Sequence, residues 1–179
     1  MQTHPSEIRT SRLILIPLTR ESILAEQSAN GDYRSFSEQI GCRIHPEWPP
    51  EHWEPHVFDF FLAQFNKYPE QAGWNRYVAL PQADGTRLLI GSLGAFSKID
   101  DPLIAEIGYG ILPSFEGQGY ATEGTQAVIE LLRCYEVESV IAHTFPTLKR
   151  SLRVMEKCGL IFDGDGEEEG TVRYRLQLR

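Results

Sequence analysis

The spacing of apolar residues divides the first part of the chain into predicted strands and helices. Residues 12–17 are rich in strand formers and stop at a proline, which lacks a backbone N–H, so they predict a first strand. Thr19 offers an N-cap for a short helix that continues to Gln27. Apolar and aromatic residues at 57–65 predict a second helix with a broad apolar surface, whereas residues 28–50 give weaker signals.

The central part of the chain has the pattern of three antiparallel strands. Residues 74–80 and 87–96 flank a turn at Asp84 and Gly85, and an Asp-Gly pair between apolar runs is a strong hairpin signal. A second turn, with the sequence Asp-Asp-Pro, leads into a third strand at residues 103–112.

The last part of the chain alternates between helical and strand patterns. Helical spacing begins at Ala121, and a strand is predicted at 139–145. A last helix is predicted at 148–157, and Gly159 terminates it. The side chains of this last helix predicted to point inward are Leu148, Leu152, Val154 and Met155. Period-two alternation at 171–178 predicts a final strand. The order of elements predicts a mixed α/β (α+β) fold, with helices flanking a mostly antiparallel sheet.

Residues 107–123 read as strand, glycine-bearing loop and helix. Gly117 and Gly119 leave the backbone accessible, and a helix start presents unpaired N–H groups at the positive end of the helix dipole. An anion such as phosphate could therefore bind here. The alternative is an ordinary strand-to-helix turn whose glycines only satisfy the backbone geometry.

Two familiar nucleotide-binding loops do not fit this segment. A P-loop needs a lysine and a Ser or Thr after its last glycine, but Gly124 is followed by Thr125 without a lysine. A dinucleotide-binding loop needs a third glycine where Thr122 stands, and an acidic residue at the end of the next strand, which instead ends in His-Thr-Phe.

Composition and charge narrow the class of protein. With 179 residues, the chain is expected to form a single domain over residues 1–179. The net charge of −8 argues against a broad nucleic-acid or anionic-membrane surface and mildly favours cationic partners. The N-terminus lacks a basic segment followed by an apolar run, and no apolar stretch is long enough to span a membrane. These features predict a soluble, cytoplasmic protein.

The cysteines and histidines predict neither a disulfide framework nor a metal site. Cys42, Cys134 and Cys158 form an odd set without C-x-x-C spacing, as expected of reduced intracellular thiols. His52 and His56 are four residues apart, but their surroundings contain no convincing third ligand. Solvated or capping histidines are the favoured interpretation.

Several segments, in this order, resemble the GNAT acyl-CoA N-acyltransferases, in particular the branch similar to the RimJ/RimL N-terminal acetyltransferases. The matching segments are Arg9-Thr-Ser-Arg-Leu-Ile-Leu, Glu106-Ile-Gly-Tyr, Pro113, Gly117-Gln-Gly-Tyr-Ala-Thr-Glu, Thr144-x-Pro146 and Ser151-x-Arg-Val-Met-Glu-Lys-Cys-Gly-Leu. The resemblance covers nearly the whole chain and implies a GNAT fold, whose sheet is splayed between two neighbouring strands.

The resemblance implies a site for acetyl-CoA, with no metal. The pyrophosphate would bind backbone amides at the helix start, and the pantetheine arm would pair with the preceding strand. The residues implied are Gln118, Gly119, Tyr120, Ala121 and Thr122 at the helix, and Ile107, Tyr109 and Ile111 on the strand. Two departures from the family pattern stand out: Glu116 places a carboxylate near the loop and is expected to point into solvent, and Leu148 replaces an asparagine that commonly contacts the CoA arm.

The resemblance to the GNAT family also implies two catalytic residues. Glu106 is the candidate base, acting through a water, and Ser151 is the candidate donor of a hydrogen bond or proton to the departing thiolate. Their structural alternatives are a surface carboxylate and a serine that satisfies the backbone in the first turn of a helix. Tyr109 and Tyr120 are spare acids.

The leading hypothesis is an acetyl-CoA-dependent N-acetyltransferase that acts directly on an amine, such as a protein N-terminal α-amine or a small polyamine or antibiotic. A second hypothesis is a CoA-binding regulatory module that has lost catalysis, motivated by Glu116 and Leu148. A third is a structural or partner-binding α/β domain. The resemblance is also compatible with a homodimer.

Overall fold

A computed structural model describes residues 6–51, 53, 55–98 and 100–179. Its strands are β1 (Ile8–Arg9), β2 (Ile14–Pro17), β3 (Arg43–Ile44), β4 (Arg76–Pro81), β5 (Arg87–Ser97), β6 (Ile104–Ile111), β7 (Ser139–Thr144), β8 (Ile161–Asp165) and β9 (Val172–Gln177). Its α-helices are α1 (Arg20–Gln27), α2 (Arg34–Ile40), α3 (Pro55–Lys67), α4 (Tyr120–Leu132) and α5 (Lys149–Lys157). None of these helices is both long enough and apolar enough to span a membrane.

The described residues form two compact units. The first contains the chain up to Ser92 together with Gly110–Phe115, and the second contains Leu93–Tyr109 and Glu116–Arg179. Strands β5 and β6 each contribute residues to both units. The prediction of a single domain over residues 1–179 stays a prediction.

The sheet of the first unit has the strand order β1-β2-β4-β5, with β3 parallel to β5. Strand β2 pairs antiparallel with β4, placing Leu15 opposite Val78. Helix α1 begins as the sequence predicts, because the Thr19 side chain accepts a hydrogen bond from the Ser22 amide and Ser22 reciprocates. The hydrophobic core of the first unit contains Ile14, Leu18, Ile23, Phe36, Trp48, Phe61, Tyr77 and Leu89.

A carboxylate is buried beside this core. Glu26 is 4% exposed and accepts hydrogen bonds from Trp48 Nε1 at 2.8 Å, Trp53 Nε1 at 2.7 Å and the Tyr77 hydroxyl at 2.7 Å. Burial raises the pKa of Glu26 to about 7, although the three donors oppose that change.

The second unit has the strand order β6-β7-β9-β8. Strand β7 is parallel to β6 and antiparallel to β9, and β8 is antiparallel to β9. The backbone hydrogen bond from Lys98 N to Ile104 O, 2.9 Å long, closes the turn between β5 and β6. Apolar side chains of α4 and α5 are buried, among them Val128, Ile129, Leu132 and Met155.

Most predicted elements are confirmed, with shifts of a few residues at their ends, but some were missed. Strand β8 and helix α2 were not predicted. Leu148 was wrongly predicted to point inward: it is 52% exposed, because it is the N-cap of α5 rather than a residue on its inner face. His52 lies outside the described residues, and His56 is exposed.

Candidate active site

The pairing between β6 and β7 stops partway along both strands. Their parallel register runs from Ile104 opposite Ser139 to Glu106 opposite Ile141. Strand β6 continues to Ile111, and β7 continues to Thr144 while paired with β9. A strand edge that loses its neighbour leaves backbone N–H and C=O groups to be satisfied by another partner. The edge at Ile107–Tyr109 is therefore suited to an extended ligand.

The loop before α4 has the backbone geometry that its glycines predict. Gly117 and Gly119 have φ angles of 74° and 83°, a region that other residues rarely adopt. Gly119 is the N-cap of α4 and provides no side-chain hydrogen bond to cap the helix. The amides at the start of α4 therefore form a helix N-terminus of the kind that binds phosphate.

The sequence predicts that Glu116 points into solvent, but in the structure its side chain also has a charged partner. Its carboxylate forms an ion pair with Arg150 on α5, with Glu116 39% and Arg150 81% exposed at the side chain. The pair joins the glycine loop to the helix that carries Ser151. The guanidinium also balances the negative charge that Glu116 brings to the loop.

Ser151 and Tyr109, both predicted from the sequence, lie in contact. The Tyr109 hydroxyl is 3.1 Å from Ser151 Oγ and donates a hydrogen bond to the Ser151 carbonyl oxygen at 3.0 Å. Burial raises the pKa of Tyr109 to about 12, against the opposing effect of its hydrogen bond with Ser151. The phenol is thus a protonated donor at any ordinary pH.

Glu106 belongs to a second polar cluster. Its Oε1 lies 2.8 Å from His143 Nδ1 and its Oε2 lies 3.1 Å from Lys98 Nζ. Lys98 also contacts Glu167, at 2.7 Å, in the loop after β8. Glu106 is therefore held on both oxygens rather than free at the surface, with its side chain 19% exposed.

Lys98, His143 and Glu167 were not identified as site residues from the sequence. His143 is found through strand register. Glu106 lies opposite Ile141 in the β6–β7 register, and His143, two residues further on, projects from the same face of β7. This register could be read only from the folded chain.

The two clusters lie on opposite faces of β6. Successive side chains of a strand alternate between its faces, so Glu106 and Tyr109, three residues apart, point to opposite sides. Their contacts agree, since Glu106 meets His143 of β7 and Tyr109 meets Ser151 of α5. The β6 segment whose pairing with β7 has stopped begins directly after Glu106. A ligand along that edge would have one cluster on each side.

Other predicted residues have less distinctive positions. Tyr120 is buried at the start of α4, and Ile111 belongs to the first unit. Burial raises the pKa of Cys158 to about 11, so this thiol is poorly suited to act as a nucleophile. Within the described ranges, no group of three or more His, Cys, Asp or Glu side chains could hold a metal ion.

Comparison with known proteins assigns the chain to a family. The family model for the acetyltransferase (GNAT) domain matches residues 12–161. The chain belongs to this family, and it is a GNAT-family acetyltransferase domain. GNAT acetyltransferases use acetyl-CoA as co-substrate and act on amine acceptors. A search of curated proteins finds no match.

Solved structures share the fold at low sequence identity. A GNAT-family acetyltransferase from Bacillus anthracis matches with a TM-score of 0.62 and 20% identity, covering 97% of this chain and 99% of that one. A proposed ribosomal-protein-serine acetyltransferase from Vibrio cholerae matches at 0.64 and 17%, covering 98% and 99%. A mutant spermidine N-acetyltransferase from Vibrio cholerae matches at 0.56 and 16%, covering 92% and 94%. The predicted GNAT fold is confirmed.

Proposed function

We propose that this chain transfers an acetyl group from acetyl-CoA directly to an amine, with Glu106 as the base and Ser151 as the donor to the departing thiolate. The observation that carries the proposal is the end of β6–β7 pairing directly after Glu106, with Glu106 on one face of β6 and the Tyr109–Ser151 pair on the other. This arrangement gives an acyl donor and an amine separate approaches to one point on the strand.

The residues around the glycine loop fit the co-substrate. The amides of Gln118 to Thr122 would hold the pyrophosphate, since glycines with positive φ leave them accessible. The backbone of Ile107 and Tyr109 would pair with the pantetheine arm, and Ile111 would extend that contact. When bound, acetyl-CoA supplies a thioester that a neutral amine can attack. The protein must therefore remove a proton from the amine and stabilise the thiolate.

The strength of the base favours one kind of acceptor. A glutamate carboxylate is a weak base, and both oxygens of Glu106 are already engaged, by Lys98 and by His143. Deprotonation at pH 7 costs ~1.4 kcal/mol for an α-amine of pKa near 8 and ~4.6 kcal/mol for a lysine side chain. We therefore place the chain in the RimJ/RimL-like branch, with a protein N-terminal α-amine as acceptor.

A small cationic amine is the second candidate acceptor. The net charge of −8 would attract a polyamine. One structure that shares the fold is a spermidine N-acetyltransferase. A CoA-binding module without catalysis is a further alternative, because Glu116 and Leu148 depart from the family pattern.

We place the protein in the cytoplasm. Cys42, Cys134 and Cys158 are all free, and Cys134 is exposed. An exposed unpaired thiol is better suited to a reducing compartment than to an oxidising one.

The first experiment measures binding and turnover separately. We expect acetyl-CoA to raise the melting temperature, and thiol release to appear with at least one member of a panel of short peptides with free N-termini, spermidine and an aminoglycoside. Glu106→Gln and Ser151→Ala should retain the thermal shift and lose turnover, whereas Glu156→Gln, at an exposed position of α5, should retain both. Binding without turnover on any amine would favour the regulatory module, and the absence of a thermal shift would contradict both.

A further inference from the structure

The contact between Glu106 and His143 determines where the histidine carries its proton. His143 Nδ1 lies 2.8 Å from Glu106 Oε1. An ionised carboxylate can only accept hydrogen bonds, so Nδ1 must carry the hydrogen and donate it. In the neutral ring this leaves Nε2 as an acceptor, and Nε2 is buried without a hydrogen-bond partner in the described part of the chain.

Other charged groups surround this pair. Lys98 Nζ contacts Glu106 Oε2 at 3.1 Å and Glu167 at 2.7 Å. Arg173 lies opposite His143 in the β7–β9 register, but its guanidinium contacts Asp163 at 2.9 Å. The cations next to Glu106 thus belong to Lys98 and, when it is protonated, to His143.

The loop after β8 restricts the imidazole. A Cβ added at Gly166 would come within 3.1 Å of His143 Cδ2 and within 2.0 Å of Thr171 Oγ1. The ring edge that carries Nε2 therefore faces a closely packed segment and has little room to reorient. The ring edge that carries Nδ1 remains directed at the carboxylate.

We propose that His143 is a positioning residue for Glu106: its Nδ1–H fixes Oε1 while Lys98 fixes Oε2, so that the carboxylate is held in one orientation. This inference rests on the proposed function of Glu106 as the base. The proton leaving the amine goes to Glu106 through a water, and His143 keeps its own Nδ1 proton throughout. Without His143, the carboxylate can turn away.

Three substitutions at position 143 test which ring nitrogen acts. Asn places an amide N–H near the position of Nδ1, Gln reaches the position of Nε2, and Leu provides neither. We expect His143→Leu to lower kcat about 10- to 100-fold, with the KM for acetyl-CoA unchanged. His143→Asn should restore most of kcat, and His143→Gln should not. His56→Asn, at an exposed histidine, is the matched control and should behave as the wild type.

Several results would overturn the proposal. Restoration by Gln but not by Asn would identify Nε2 as the acting atom, and three variants with wild-type kcat would leave His143 without a role. A ¹⁵N NMR experiment on the unmodified protein is independent of turnover and of variant folding. It should show the His143 ring protonated at Nδ1 near neutral pH, and the Nε2–H tautomer would overturn the proposal even if no amine were found to react.

Discussion

The Tyr109 hydroxyl lies 3.1 Å from Ser151 Oγ and donates to the carbonyl oxygen of the same residue, joining β6 to the first turn of α5. When the single Tyr109 hydrogen is shared between the carbonyl oxygen and Oγ of Ser151, the serine hydroxyl keeps its own hydrogen for the thiolate. The serine oxygen is thereby held in place. The residue proposed to donate to the thiolate is positioned by a residue on the strand proposed to bind the acyl donor.

Tyr109 and Ser151 should therefore act as one unit. We expect Tyr109→Phe to lower kcat about tenfold and Ser151→Ala to lower it further, with the double variant no worse than Ser151→Ala alone. Since the pKa of Tyr109 is raised to about 12, its loss should not move the alkaline limb of the pH profile. Steady-state kinetics of the three variants across pH provides the measurement. Additive losses would show that the two residues act independently.

The glycine loop permits a test that separates backbone strain from ligand binding. Gly117 and Gly85 have φ angles of +74° and +81°, and a Cβ at either would meet nothing within 4 Å. Alanine at each position should destabilise the protein by about 1 kcal/mol, because it must adopt a left-handed backbone. Gly117→Ala alone should also weaken acetyl-CoA binding, by about five- to tenfold, because the amides it orients would hold the pyrophosphate.

Denaturant unfolding and calorimetric titration measure these two effects. Gly85→Ala is the control, because its turn lies between β4 and β5, in the first unit, whereas Gly117 belongs to the second. Equal weakening of binding by both variants would indicate a general loss of stability. Unchanged binding in Gly117→Ala would argue against a role of this loop in phosphate recognition.

The carboxylate of Glu116 should limit affinity for an anionic co-substrate, and its ion pair with Arg150 should lessen that effect. We expect Glu116→Gln to tighten acetyl-CoA binding about two- to fivefold, and the gain to be larger in an Arg150→Gln background, where the carboxylate has lost its cation. The effect should shrink as salt is added, because exposed charges are screened. Titrations of the four proteins at low and high salt measure the coupling, and an unchanged Kd in both backgrounds would contradict it.

Glu26 makes a definite prediction about stability and pH. Its folded pKa of about 7 lies above its ordinary value of 4.5, so between these values the folded state binds more protons than the unfolded state. Its contribution to stability is fully present below pH 4.5 and is lost as pH rises to about 7, by up to about 3 kcal/mol. Glu26→Gln should remove this slope while filling the same space.

The measurement is the unfolding free energy of wild type and Glu26→Gln across this pH range. Glu38→Gln, at an exposed position of α2 in the same unit, is the matched control and should leave the slope unchanged. Parallel curves for wild type and Glu26→Gln would show that the buried carboxylate does not bind an extra proton in the folded state.

The sequence predicted long and strongly patterned elements well and irregular ones poorly. Helix α1 could be located because its capping residues lie within four positions of each other. Strand β8 was missed because its sequence, Ile-Phe-Asp-Gly-Asp, does not alternate between apolar and polar residues. In the structure its two apolar side chains, Ile161 and Phe162, are 72% and 60% exposed. A register shift between Phe162 and Asp165 disturbs the pattern further.

The sequence by itself determined features that depend on neighbouring residues, namely most of the elements and the glycine loop before α4. Its resemblance to a family added Glu106 and Ser151 as candidates for catalysis. Only the tertiary structure decided which side chains meet. His143 reaches Glu106 through strand register, and Arg150 reaches Glu116 across a separation of 34 residues. Register is set by which faces of the strands are buried together, and that is a property of the folded chain rather than of any local segment.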